Sequence, residues 1–307
     1  MNTRKRITAI PALIAAGAFT TLPGMLKTAV AQHAHGEATP AASQWSALGL
    51  PELNLTVTAE AVEGVPGSIE AGRYLVTVTG TVTPEDWGKG VLLLQLPEGL
   101  TMDDVMAQVE SAGDAPPEFY YQSLLPGGPM TGGDGEQSIT AVIDLAPGEW
   151  VVAGAYMSTP PTIMTATGEM PADLPEPEST ATVSMYEMVI EITEGELTAG
   201  ENLLKIENTG EQAHFVEFER IPDGATTEDV EAALHAEMMG TPVAADDPLG
   251  EISLVASSGD LSPGTTMWLS VDFEPGSYAG FCFAPDMESG MPHAYMGMYI
   301  VFEIAAS

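Results

Sequence analysis

Four side chains late in the 307-residue chain share an affinity for a soft, redox-active metal: His214, Cys282, His293 and Met298. One thiolate, two imidazoles and a weak thioether make a donor set that copper accepts in both of its common oxidation states. Their order along the chain fits that use. Cys282, His293 and Met298 fall in one stretch joining the last two expected strands, and His214 arrives from a neighbouring strand. Cys282 is the only cysteine, so the chain has no internal disulfide. A lone thiol in an oxidising compartment is open to oxidation unless it is buried or bound to metal. The set provides for one copper per chain.

Other candidates surround these four. Met296 competes with Met298 for the thioether role, at a shorter spacing from His293. Met287 and Met291 lie in the same loop and could pass Cu(I) onward, fill gaps or form an apolar docking face. Phe281, Phe283 and Tyr295 could contribute to such a face. His235 falls on an expected helix beside Leu234 and reads as a solvent-facing or capping residue. His33-x-His35 lies in a polar leader.

The motifs that frame the four ligands are Asn208-x-Gly210-x3-His214, Gly276-x-Tyr278-x3-Cys282 and His293-x4-Met298. In these the chain resembles the cupredoxins, the blue-copper family, from Met185 to the C-terminus. The resemblance implies His214, Cys282 and His293 as equatorial ligands and Met298 as the axial one. It also implies a Greek-key β-sandwich and one-electron transfer. Ten residues separate Cys282 from His293, a longer loop than small electron-transfer cupredoxins use and nearer to that of copper nitrite reductases. Multicopper oxidases and those reductases need more histidines than the five present here, so the chain reads as a non-enzyme.

The elements that must position these residues show a period of two. Met188–Ile192, Leu203–Glu207 and Thr266–Val271 read as short strands between Gly, Pro and Asn turns. One helix interrupts them, capped at Thr226 or Thr227, with Val230, Ala233, Leu234 and Met238 on one face. Its counterpart starts at Thr101. Ile221-Pro222-Asp223-Gly224 repeats Leu96-Pro97-Glu98-Gly99, and Glu274-Pro275-Gly276-Ser277-Tyr278 repeats Ala146-Pro147-Gly148-Glu149-Trp150. The expected fold is therefore mostly β, two tandem cupredoxin-like Greek-key β-sandwich domains with one short helix each. The reading assigns 45–165 to a degenerate copy without ligands, 166–181 to a Pro/acidic linker and 182–307 to the metal-bearing domain. On the repeat's offsets Lys89 stands where His214 would be and Gly154 where Cys282 would be. The linker and the repeat together predict that Ala181–Ser307 folds by itself.

Residues 1–31 read as a signal peptide: Arg4, Lys5 and Arg6, an apolar run, then Ala29-Val30-Ala31. A flexible leader, 32–44, follows. The protein is thus expected outside the cytoplasm, secreted or held in the periplasm or cell envelope. After cleavage four cations remain (Arg73, Lys89, Lys205, Arg220) against 44 carboxylates, a net charge of −40. Such a surface repels nucleic acid and anionic lipid and suits a cationic redox partner protein. Three functions fit these features: one-electron shuttle, copper carrier, or metal-free interaction module.

Overall fold

In a computed structural model of the chain, described for Trp45 and residues 47–112, 117–239, 249 and 252–306, most regular structure is extended. The signal segment and the leader, with His33 and His35, lie outside the described residues. No helix among the described residues is long and apolar enough to cross a membrane.

The first half contributes β1 (Glu52–Val57), β2 (Val62–Glu63), β3 (Ser68–Glu70), β4 (Gly72–Val82), β5 (Lys89–Gln95), β6 (Met130–Thr131), β7 (Gly135–Leu145), β8 (Gly148–Gly154) and β9 (Thr162–Thr167). The second contributes β10 (Ala181–Tyr186), β11 (Val189–Gly195), β12 (Gly200–Asn208), β13 (Glu217–Arg220), β14 (Ser253–Ser257), β15 (Thr266–Phe273), β16 (Gly276–Phe281) and β17 (Tyr299–Ile304). Helices α1 (Met102–Ala112), α2 (Glu118–Gln122) and α3 (Thr227–Met238) are short. β1 alternates exposed and buried residues one by one, the pattern of a strand with one solvated face. β5 buries Gly90 to Leu94 without a break and is covered on both faces.

The strands form two packed sheets of mixed direction. One runs β11-β10-β12-β15-β7-β4-β1-β2 and the other β17-β16-β13-β14-β6-β5-β8-β9-β3. In each half the first strand lies parallel to a later one, β1 to β4 and β10 to β12. This is the expected mostly β class, β-sandwich halves in tandem, although the first half carries two helices, α1 and α2, where one was expected.

The repeat is visible atom by atom. Thr101 and Asp104 exchange the same hydrogen bonds as Thr226 and Asp229, with side-chain oxygens at 2.6 and 2.7 Å. Trp150 Nε1 donates to the carbonyl four residues back, Ala146 O, at 2.9 Å, and Tyr278 Oη does the same to Glu274 O at 2.8 Å. The N-cap of α3 is Thr226, and Val230 and Leu234 are buried beneath it. Met238, expected on that apolar face, is instead exposed, because the helix ends there.

The halves do not sit apart. Both sheets run across the junction, through β15 and β7 (Trp268 beside Val142, Leu269 beside Ala141) and through β14 and β6 (Ala256 beside Thr131, Ser257 beside Met130). One apolar cluster joins Val76, Leu93 and Val152 to Ile206, Leu269 and Phe273. Glycines make the approach possible: a Cβ at Gly132 would meet the Leu254 carbonyl, and one at Gly259 would meet the backbone of Gly128. The linker is tied down as well, through Arg73 to Pro175 O, Lys205 to Glu176 and Trp45 Nε1 to Glu178 O. The expectation of a self-sufficient second half therefore meets a core that both halves build.

Candidate metal centre

His214 is set by a turn that Asn208 closes. Its amide nitrogen donates to Gln212 O and Leu261 O, both at 2.7 Å, while its oxygen accepts from Gly210 N at 2.9 Å. This explains why asparagine and glycine precede the histidine. The His214 backbone then pairs with Leu261 in both directions, at 3.1 and 2.8 Å. Cys282 follows directly on β16, and its Sγ accepts the Phe215 N–H at 3.5 Å.

The ten residues after Cys282 form a closed hairpin rather than a wide loop. His293 N donates to Ala284 O at 2.9 Å, Asp286 N to Met291 O at 2.9 Å, and Gly290 N to Asp286 O at 2.8 Å. Asp286 stitches the tip, accepting from Ser289 N and Oγ at 2.7 Å each. These hydrogen bonds, led by the Ser289 hydroxyl, hold its carboxyl near about 2. Gln212 Nε2 reaches Asp286 Oδ1 at 3.1 Å and so ties the hairpin to the His214 turn. Residues 285–292 thus bulge away while Ala284 and His293 meet, and the ligands stand as close as a short loop would put them. A short 3-10 turn, His293–Met296, follows. Met298 N donates to His293 O at 3.0 Å and Cys282 N to Met298 O at 3.2 Å. Main-chain bonds therefore interlock the three loop positions.

Three donor atoms converge. His214 Nδ1 and His293 Nδ1 are 3.1 Å apart, and Cys282 Sγ is 3.9 and 3.7 Å from them. A first-row ion about 2.0 Å from each nitrogen and about 2.3 Å from sulfur, at angles near 100° and 120°, needs edges of about 3.1 and about 3.8 Å. The triangle has those edges. His214, Cys282, His293 and Met298 are all 0 % exposed. Met296 is 41 % exposed and stands outside this buried group. Met287 and Met291 are exposed on the hairpin, and His235 faces solvent on α3.

The electrostatics suit a cation. Burial pushes the Cys282 thiol up to about 12. Burial, and then the neighbouring His214 imidazole, pull His293 down to about 4; burial lowers His214 too, against the pull of Glu187. Both imidazoles are therefore neutral near pH 7. Both Nε2 atoms are buried without a hydrogen-bond partner among the described residues, and Glu187 Oε1 stops 3.6 Å from His214 Nε2. With a proton on each Nε2, two Nδ1 lone pairs face each other and the sulfur. An ion in the triangle satisfies all three, so the residues fit one copper.

Residues without a place in the sequence reading also serve the site. Phe215 acts through its backbone N–H, which no side-chain pattern marks. Asp286 was open to recognition, since Asp-x-x-Ser is an Asx-turn pattern.

No protein-family profile matches the chain, and no curated protein matches it. Among solved structures it is similar to a dithionite-reduced auracyanin from the photosynthetic bacterium Roseiflexus castenholzii. The identity is 18 %, over 41 % of this chain and 95 % of that one, with a TM-score of 0.27. It is similar also to a copper nitrite reductase from Nitrosomonas europaea, at 10 % identity over 83 % of this chain and 94 % of that one, with a TM-score of 0.22. The site is read from its own geometry.

Proposed function

We propose that this protein holds one copper ion at His214, Cys282 and His293, with Met298 as axial ligand, and shuttles single electrons outside the cytoplasm. The observation that carries this is the buried Nδ1–Nδ1–Sγ triangle. Copper would supply the one-electron couple. The chain's own residues do the rest. The hairpin and the Asn208 turn hold the donors in one geometry, which keeps reorganisation between oxidation states small. The Phe215 N–H stabilises negative charge on the Cys282 sulfur. Full burial keeps water from the sulfur, limiting its oxidation.

Beyond the two ligands the sequence holds only His33, His35 and His235, fewer than a trinuclear cluster needs and split between the leader and α3, which supports a carrier of electrons over an enzyme. The acidic surface supports a cationic partner, and the three exposed methionines around the site (Met287, Met291, Met296) give copper delivery as the second reading. Residues 45–165 and 182–307 would be the two copies, only the second bearing metal.

Adding Cu(II) to the apo protein should give an intense visible band at one equivalent per chain. Cys282→Ser should abolish it, and Met298→Leu should keep it while raising the reduction potential. A colourless complex formed only with Cu(I) would favour delivery instead. Absence of any uptake would refute both.

A further inference from the structure

Behind the metal centre, where the halves join, lies a cavity of about 40 Å³ lined by Gly128, Met130 and Tyr156 of the first half and by Phe215, Glu217 and Asp260 of the second, among others. Its lining includes two acids, Glu217 and Asp260, and among the described residues no Lys or Arg pairs with them. Arg73, Lys89, Lys205 and Arg220 pair with other carboxylates. Glu217 is 4 % exposed; the Tyr156 hydroxyl donates to its Oε1 at 2.5 Å, and the Trp87 indole is a further donor to the carboxylate. Tyr156 and Met157 both hold positive φ (57° and 53°), a conformation that costs a non-glycine residue energy. The strain aims the phenol at Glu217. Deeper in, the Asp260 carboxyl and the Tyr120 hydroxyl are buried side by side.

Glu217 stands three residues beyond His214, opposite Phe281 in the ladder. The Phe281 ring belongs to the cluster beneath α3, whereas Cys282 belongs to the main core. Glu217 thus lies across the sheet from the metal centre, separated from it by protein rather than water. A buried ionised carboxylate without a cation is costly and gains a proton readily.

We propose that Glu217 is a proton site tied to the metal centre, so that the protein takes up one proton there when it accepts one electron. This rests on the copper reading. The electron comes from a one-electron donor protein. The proton comes from solvent by way of the cavity, which is large enough for a water beside the Tyr156, Glu217 and Asp260 side chains. One O–H bond forms at Glu217 as one breaks in the hydronium ion that delivers the proton, no bond to carbon or metal changes, and the net charge of the buried region is unaltered. That neutrality is the driving force, since a lone added charge in a low-dielectric interior is expensive.

The surroundings set the pH range. Burial raises Glu217 to about 7, with Tyr156 and the Trp87 indole opposing and Asp260 assisting. Burial takes Asp260 to about 6. Burial, then Glu217 and the Glu237 carboxyl of α3, push Glu219 well above its usual value. Electron uptake adds negative charge and raises Glu217 further. Between its oxidised-state and reduced-state values the proton follows the electron.

The test is the reduction potential of the copper-loaded full-length protein from pH 5 to pH 9, with infrared spectra of the carboxyl region. Wild type should lose potential through neutral pH, at up to tenfold in equilibrium constant per pH unit, about 59 mV for one electron. Glu217→Gln should give a flat potential equal to the wild-type value at low pH. Tyr156→Phe, which removes the donor favouring the carboxylate, should move the break to higher pH and guards against misfolding of the glutamine variant. A wild-type potential independent of pH, or a slope that survives in Glu217→Gln, overturns the proposal while leaving the copper site standing. Should copper not bind, the apo protein still decides: a protonated-carboxyl band that titrates near neutrality and vanishes in Glu217→Gln supports a proton site, and its absence overturns it.

Discussion

At the scale of single residues, the metal centre is a problem of protonation. Copper binds thiolate, yet burial raises the Cys282 thiol to about 12, so binding near pH 7 must expel one proton. The imidazoles contribute none there, since His293 titrates only near about 4. Copper affinity should therefore rise about tenfold per pH unit across the neutral range, steepening below pH 4 as His293 also gains a proton. Calorimetry in buffers of different ionisation enthalpy would measure that stoichiometry directly. Two protons or none would mean that the imidazoles are charged or that the thiol is not a ligand.

At the scale of elements, the hairpin 285–292 decides whether a ten-residue insertion is compatible with a tight metal site. Asp286 gathers hydrogen bonds from Glu288, Ser289 and Gln212, and so couples the hairpin to the turn that carries His214. Asp286→Ala should cost about 1–3 kcal/mol, the penalty for leaving several donors unsatisfied. It should weaken copper retention in chelator competition without changing the one-to-one stoichiometry. Unchanged retention would show that the Ala284–His293 pairing suffices alone. Sequence alone marked the two ends of this element and its turn residues. It could not show that the ends pair, because pairing depends on where β16 and β17 bring them.

At the scale of the whole molecule, the first half is part of the support for the metal-bearing half. Segment 123–132 runs along 253–262, which in turn flanks His214 to Arg220: Leu125 N donates to Ser262 Oγ at 2.9 Å, and Gly127 N to Asp260 O at 2.9 Å. A fragment of Ala181–Ser307 would expose the edges of β14 and β15 and part of the shared cluster. Exposed edges template association. The fragment should oligomerise and melt lower than the full chain by chromatography and circular dichroism. A monomer that matches the full-length melting temperature would show the junction to be dispensable. Docking to a cationic partner should weaken with salt, because screening shortens to about 8 Å near physiological ionic strength.

The sequence by itself determined the ligand types, their order, the period-two strands, the Thr–Asp helix caps and the repeat. All are local or near-local: a cap needs three residues, a strand needs alternation, and a ligand motif needs one turn. Only the tertiary structure decided which methionine is buried with the site, how the long loop closes, and that both sheets cross the junction. It also brought Tyr156 and Glu217, sixty-one residues apart, to one cavity. Such pairings arise where distant segments exclude water together, and a linear pattern carries no record of what a residue will face across a sheet.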